Sequence, residues 1–101
     1  MREVFMEKQP QRQRVHLTVS GRVQGVGYRY YTYDEAVRIG VVGYVRNLYD
    51  GGVEVVAEGT TEQLHELIRA LRRGPAFARV VEVRENWQPA TGKFREFRIT
   101  F

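Results

Sequence analysis

The 101-residue sequence contains no cysteine, and that absence excludes disulfides, thiolate metal ligands and thiol nucleophiles together. It has no apolar run near the roughly 20 residues that a membrane-spanning helix requires. Residues 2–14 are polar and charged, without the apolar h-region of a secretory signal. The expectation is a soluble, cytoplasmic chain with no membrane partner. Internal repeats and low-complexity segments are absent as well. Lysine is scarce: Lys8 and Lys93 are the only lysines among 16 basic residues. An arginine bias favours forked, permanently charged contacts to phosphate or carboxylate, although a GC-rich genome or a hot habitat produces the same ratio. The net charge of +4 and the pI near 9.8 admit nucleic acid or acidic ligands. The basic residues are scattered among 12 acids, so charge alone decides nothing.

What is present describes one small domain with a single core. Residues 1–13 lack periodicity and include Pro10, which predicts a mobile N-terminal tail before a domain spanning 14–101. From Arg14 the pattern alternates strictly, with Val15, Leu17 and Val19 on one face of a half-buried strand. A helix is predicted over Tyr28 to Ile39, with Tyr28, Tyr31, Thr32, Ala36 and Ile39 on one stripe and Gly40 as its stop. Val42 to Leu48 and Val53 to Glu58 read as strands of an antiparallel hairpin turned at Asp50-Gly51. Thr60 and Gln63 form a capping box for a second helix with the stripe Leu64, Leu67, Ile68, Leu71, ended by Gly74-Pro75. Ala78 to Arg84 is strand-like, a polar loop through Gln88, Pro89, Thr91 and Gly92 follows, and Phe97, Ile99 and Phe101 share one face of a closing strand. This order predicts an α+β, ferredoxin-like split βαβ sandwich: one mixed or antiparallel sheet with two helices on one face.

The segment GRVQGVGYR, Gly21 to Arg29, sits at the junction of the first strand and the first helix. Its glycines allow several main-chain N–H groups to converge on one point at a helix N-terminus, which is a nest for an anion. Arg29 falls in the first turn, where the positive end of the helix dipole disfavours a cation. Thr32 and Tyr33 stand where a compensating carboxylate would be. Asn47, in GYVRN, shares a strand face with Val45 and so points to the helix side. In the split βαβ order the second strand is expected to run beside the first, which brings its Asn47 end toward the Gly21 to Arg29 loop.

GRVQGVGYR, AVRIGVVGYVRN, the DGGVEV hairpin and GPAFARV together resemble the acylphosphatase family, over nearly all of Val15 to Phe101. The resemblance implies hydrolysis of the carboxyl-phosphate bond of acyl phosphates to a carboxylate and inorganic phosphate, without metal, cofactor or covalent intermediate. By position it makes Arg29 the phosphate-binding arginine and Asn47 the asparagine that orients water. Gln24, Gly25, Val26, Gly27 and Tyr28 then form the loop whose amides surround the phosphate. Tyr28 stands where the family usually has phenylalanine, and Tyr44 where it usually has tryptophan. Each adds a hydroxyl that needs a partner if buried.

Two other classes compete. A basic ferredoxin-like domain is also the shape of an RNA-recognition module, but the third strand, GGVEVVAEG, offers valines and glutamates where base stacking needs aromatics. The second is a non-catalytic phosphate-binding or regulatory domain of this fold. His16 and His65 read as structural or solvated, and the tyrosines at 28, 30, 31 and 33 as packing. No nucleic-acid partner is expected, and short arginine-rich edge strands favour a monomer.

Overall fold

A computed structural model describes residues 11–101. The alternating run becomes β1 (Arg12–Arg22), with Val15, Leu17 and Val19 fully buried. It is followed by α1 (Tyr28–Ile39), β2 (Val42–Asn47), β3 (Val53–Thr60), α2 (Thr61–Arg73), β4 (Arg79–Pro89) and β5 (Phe97–Ile99). The sheet order is β4-β1-β3-β2-β5. The β2–β5 pair is parallel and the others antiparallel. This is the predicted ferredoxin-like α+β sandwich, with a mixed sheet. Val15, Leu17, Val19, Val53, Val55, Ala57, Val45 and Val83 form one core with Leu64, Leu67, Ile68 and Leu71 of α2 and Tyr28 and Ala36 of α1. Burying each leucine contributes about 1.5–3 kcal/mol. No helix among the described residues is long and apolar enough to cross a membrane.

The helix ends follow local chemistry. Thr60 Oγ1 accepts from the Gln63 N–H at 3.1 Å, and Gln63 Oε1 accepts from the Thr60 N–H at 2.9 Å, which completes the capping box. At the other end of α2 the chain leaves helical geometry at Gly74, whose φ and ψ are 67° and 170°, so the Leu71 carbonyl is one of the last-turn acceptors with no intrahelical donor. The Tyr28 hydroxyl donates to that carbonyl at 2.8 Å, and the Tyr31 hydroxyl donates to the Ala70 carbonyl at 2.7 Å. Burial pushes the Tyr28 phenol well above its ordinary value, so it remains a donor. The extra hydroxyl of Tyr28 thus ties α1 to the end of α2.

The structure departs from the sequence reading in four places. Arg12 and Gln13, assigned to the tail, belong to β1 opposite Thr60 and Gly59; residues 1–10 of that tail lie outside the described residues. Gln88 and Pro89, read as loop, continue β4 opposite Arg14 and Gln13, and proline is tolerated there because β4 is an edge. Phe101 lies beyond β5 and is 96% exposed, so it does not join Phe97 in the core. Most relevant to the site, β2 does not run beside β1: β3 lies between them.

Candidate active site

Strand register, not adjacency, brings Asn47 to the glycine-rich loop. Val19 of β1 is opposite Val53 of β3, and Val53 is opposite Asn47. The three residues lie on one line across the sheet, at the end where β1 gives way to the loop. The β1–β4 register shifts at Ser20/Gly21, a bulge that bends the chain out of the sheet. Val23 then re-enters the core at 1% exposure and anchors the loop. Gly25 and Gly27 adopt φ of 73° and 79°. A Cβ at either would meet nothing within 4 Å, so the requirement for glycine is the left-handed backbone and not space.

That backbone leaves donors uncommitted. Among the described residues, no hydrogen bond uses the main-chain N–H of Gln24, Gly25, Val26 or Gly27. The first α1 donor to be paired beyond the cap is Tyr31, whose N–H reaches the Gly27 carbonyl at 3.0 Å. The N-cap is Gly27, no side chain caps the helix, and no acid stands in its first turn. Free amides and the positive end of the dipole together make this terminus an anion-binding feature.

Gln24 turns its side chain away from the nest and bridges to the β2–β3 turn. Its Nε2 donates to the Leu48 carbonyl at 2.7 Å and to the Gly52 carbonyl at 2.8 Å. The turn is itself closed by Leu48 N–H to the Gly52 carbonyl at 2.8 Å and Gly52 N–H to Asp50 Oδ1 at 2.9 Å. Loop and turn are therefore one rigid unit, and Asn47 is the residue just before it.

Asn47 Oδ1 is buried and accepts no hydrogen bond among the described residues, a state that costs about 1–3 kcal/mol. The side chain lines a cavity of about 530 Å³ with Arg46, Leu48, Tyr49 and Phe101. Arg29 meets one of these lining residues: its guanidinium carbon lies 5.1 Å from the centroid of the Phe101 ring. No carboxylate among the described residues pairs with Arg29. The predicted Gln24, Gly25, Val26, Gly27, Tyr28, Arg29 and Asn47 thus gather at one end of the sheet, except that the Tyr28 side chain points into the core. Arg46, Leu48, Tyr49 and Phe101 were not foreseen as lining residues. Alternation pointed Phe101 inward, and only the end of β5 at Ile99 frees it.

The remaining titratable groups lie elsewhere. His16 Nε2 lies 2.7 Å from Glu54 Oε2, and His65 packs its ring against Trp87 at 5.1 Å. Burial would raise the Glu54 carboxyl, but bonds from His16 and Arg46 hold it below its ordinary value. Among the described residues no group of three or more His, Asp or Glu could hold a metal.

The family model for acylphosphatase matches residues 15–99. The chain belongs to the acylphosphatase family. It is 51% identical over 85 residues to the acylphosphatase of Caldanaerobacter subterraneus subsp. tengcongensis, covering 84% of this chain and 94% of that one. It is 47% identical over 90 residues to the acylphosphatase of Pelotomaculum thermopropionicum, covering 89% and 98%. The crystal structure of the acylphosphatase from Bacillus subtilis superposes with a TM-score of 0.86 at 32% identity, covering 88% of this chain and 99% of that one. In this acylphosphatase-family chain, the matched span includes the loop, Arg29 and Asn47, and excludes Phe101.

Proposed function

We propose that this chain hydrolyses acyl phosphates to a carboxylate and inorganic phosphate. The observation that carries the reading is the buried, unpartnered Asn47 Oδ1 beside an uncapped helix N-terminus. In this reading the amides of residues 24–28 and the Arg29 fork hold the phosphoryl oxygens. Asn47 Oδ1 accepts a hydrogen bond from a water and aims its lone pair at phosphorus. The water oxygen forms the new bond to phosphorus as the bond from phosphorus to the acyl oxygen breaks in line. The carboxylate leaves with the electron pair, and the water proton passes to a phosphoryl oxygen of the substrate. A carboxylate is a good leaving group, so the step requires no general acid and no metal.

The family membership and the relatives named above support this activity. The RNA-binding alternative is disfavoured by the open face of β3, where Glu54 is engaged by His16 and Arg46 and Glu58 is 1% exposed. The test is an assay of the purified chain on benzoyl phosphate and acetyl phosphate with EDTA present, against a phosphomonoester control. Turnover of the acyl phosphates alone is expected. Asn47→Ala should lower kcat by about a hundredfold, as loss of a positioned transition-state group does, with the affinity for inorganic phosphate changed by less than about threefold, roughly the lower bound of one hydrogen bond. Intact turnover with weakened phosphate binding would remove Asn47 from its role.

A further inference from the structure

We infer that Phe101 is a positioning residue for Arg29: its ring restrains the guanidinium through a cation–π contact and brings no countercharge that would compete with phosphate. The inference rests on the reading of Arg29 as the phosphoryl ligand. An arginine at the start of a helix has a long, flexible side chain, and it binds a phosphate well only if its fork is already aimed. The usual device is a carboxylate partner, which occupies the same N–H donors that phosphate needs and cancels the charge. Arg29 has no such partner among the described residues. What it has is an aromatic face 5.1 Å from its guanidinium carbon. The negative face of a ring attracts the cation without carrying a net charge of its own, and a guanidinium has five N–H donors. The contact therefore restrains the side chain without cancelling its charge.

The placement of Phe101 fits this role and not a core role. The residue is 96% exposed, so its apolar surface contributes little to the fold. It also lines the cavity that contains Asn47, so the ring links the two polar groups of the site. β5 delivers it: Ile99 is opposite Val45, and the Thr100 N–H donates to the Val45 carbonyl at 2.8 Å. Because the two strands are parallel, that bond directs the chain toward the level of Asn47, two residues after Val45 on β2.

Inorganic phosphate, titrated into the full chain and followed by NMR, tests the inference without relying on turnover, with kcat/KM for benzoyl phosphate measured in parallel. Phe101→Ala should weaken phosphate binding by about threefold to fivefold, the range of an exposed cation–π contact. Phe101→Leu, which keeps apolar bulk but has no π face, should match Phe101→Ala. Phe101→Trp should restore or exceed the original affinity. The leucine substitution is decisive in chemical terms: wild-type phosphate affinity in Phe101→Leu overturns the cation–π role and leaves the active-site reading intact. Unchanged phosphate affinity in Arg29→Ala overturns the active-site reading itself, and the role of Phe101 with it.

Discussion

The side-chain amide of Gln24 donates at 2.7 Å to the carbonyl of Leu48, the residue that follows Asn47. With its second bond to Gly52, it holds the glycine-rich loop at a fixed distance from the asparagine across the end of a strand that separates them. Gln24→Leu removes both donors while keeping the bulk. The two carbonyls retain main-chain partners in Gly51 and Leu48, so the stability cost is limited to about 1–2 kcal/mol. Turnover should suffer more than stability, because small misplacement of a positioned group costs about a hundredfold. Steady-state kinetics and urea unfolding on one preparation separate the two effects, and equal fractional losses would reduce Gln24 to a structural strut.

Arg29→Ala separates function from folding in the opposite way. Removing a cation from the first turn of α1 relieves an unfavourable interaction with the helix dipole worth about 0.3–1 kcal/mol. It also removes the contact with Phe101, worth about 0.5–1 kcal/mol at an exposed site. The two nearly cancel, so the urea midpoint should stay within experimental error of the wild type. Turnover of benzoyl phosphate should fall by at least about a hundredfold. Arg29→Lys should fall almost as far, since an ammonium cannot present the fork. A lysine variant with near wild-type kcat/KM would show that charge alone suffices.

The contrast between Arg29 and Gln24 marks how far the sequence reaches. Elements whose limits depend on residues close in the chain were legible: α1 begins at Tyr28 after Gly27 and ends at Ile39 before Gly40, and the Thr60/Gln63 box starts α2. The placement of the glycine-rich loop before α1 and of Asn47 at the end of β2 was legible because both lie in compact motifs. What depends on pairing between distant segments was not. β4 continues through polar Asn86 and Gln88 because β1 offers it partners, and nothing in those residues alone signals a strand. The neighbours of β2 are β3 and β5, so Asn47 reaches the loop by register across β3. The Gln24 bridge joins residues 24 and 28 positions apart, a relationship that no local pattern encodes.

Tyr28 gives a prediction about stability alone. Its hydroxyl satisfies the Leu71 carbonyl, one of the last-turn acceptors of α2 that has no intrahelical donor. Tyr28→Phe, the residue usual in the family at this position, keeps the ring in its buried place and leaves that carbonyl unpaired, at a cost of about 1–3 kcal/mol. Thermal unfolding of the two proteins checks this, and activity at a temperature well below the transition should be the same in both. If the single variant is as stable as the wild type, the hydroxyl bond contributes nothing net.

Glu58 predicts how stability responds to acid. Its side chain is 1% exposed, and its oxygens accept from the Thr91 hydroxyl at 2.7 Å and from the Thr91 and Gly92 N–H groups at 2.9 Å each. Burial alone would raise the carboxyl, but these donors, with Arg14 nearby, outweigh it and hold the carboxyl below its ordinary value. A depressed folded value means that the stabilisation is complete above the unfolded value, about pH 4.3 for glutamate, and is lost as pH falls through the lower folded value. Glu58→Gln turns an all-acceptor group into one with an NH₂ that must face N–H donors, and should cost about 2–3 kcal/mol at pH 7. Because protonation of Glu58 weakens the same contacts in the wild type, the gap between the two proteins should narrow as the pH falls below about 4.3. Urea unfolding of both proteins across that range measures the gap directly, and a gap that stays constant with pH would show that Glu58 holds the β4–β5 loop by shape and not by charge.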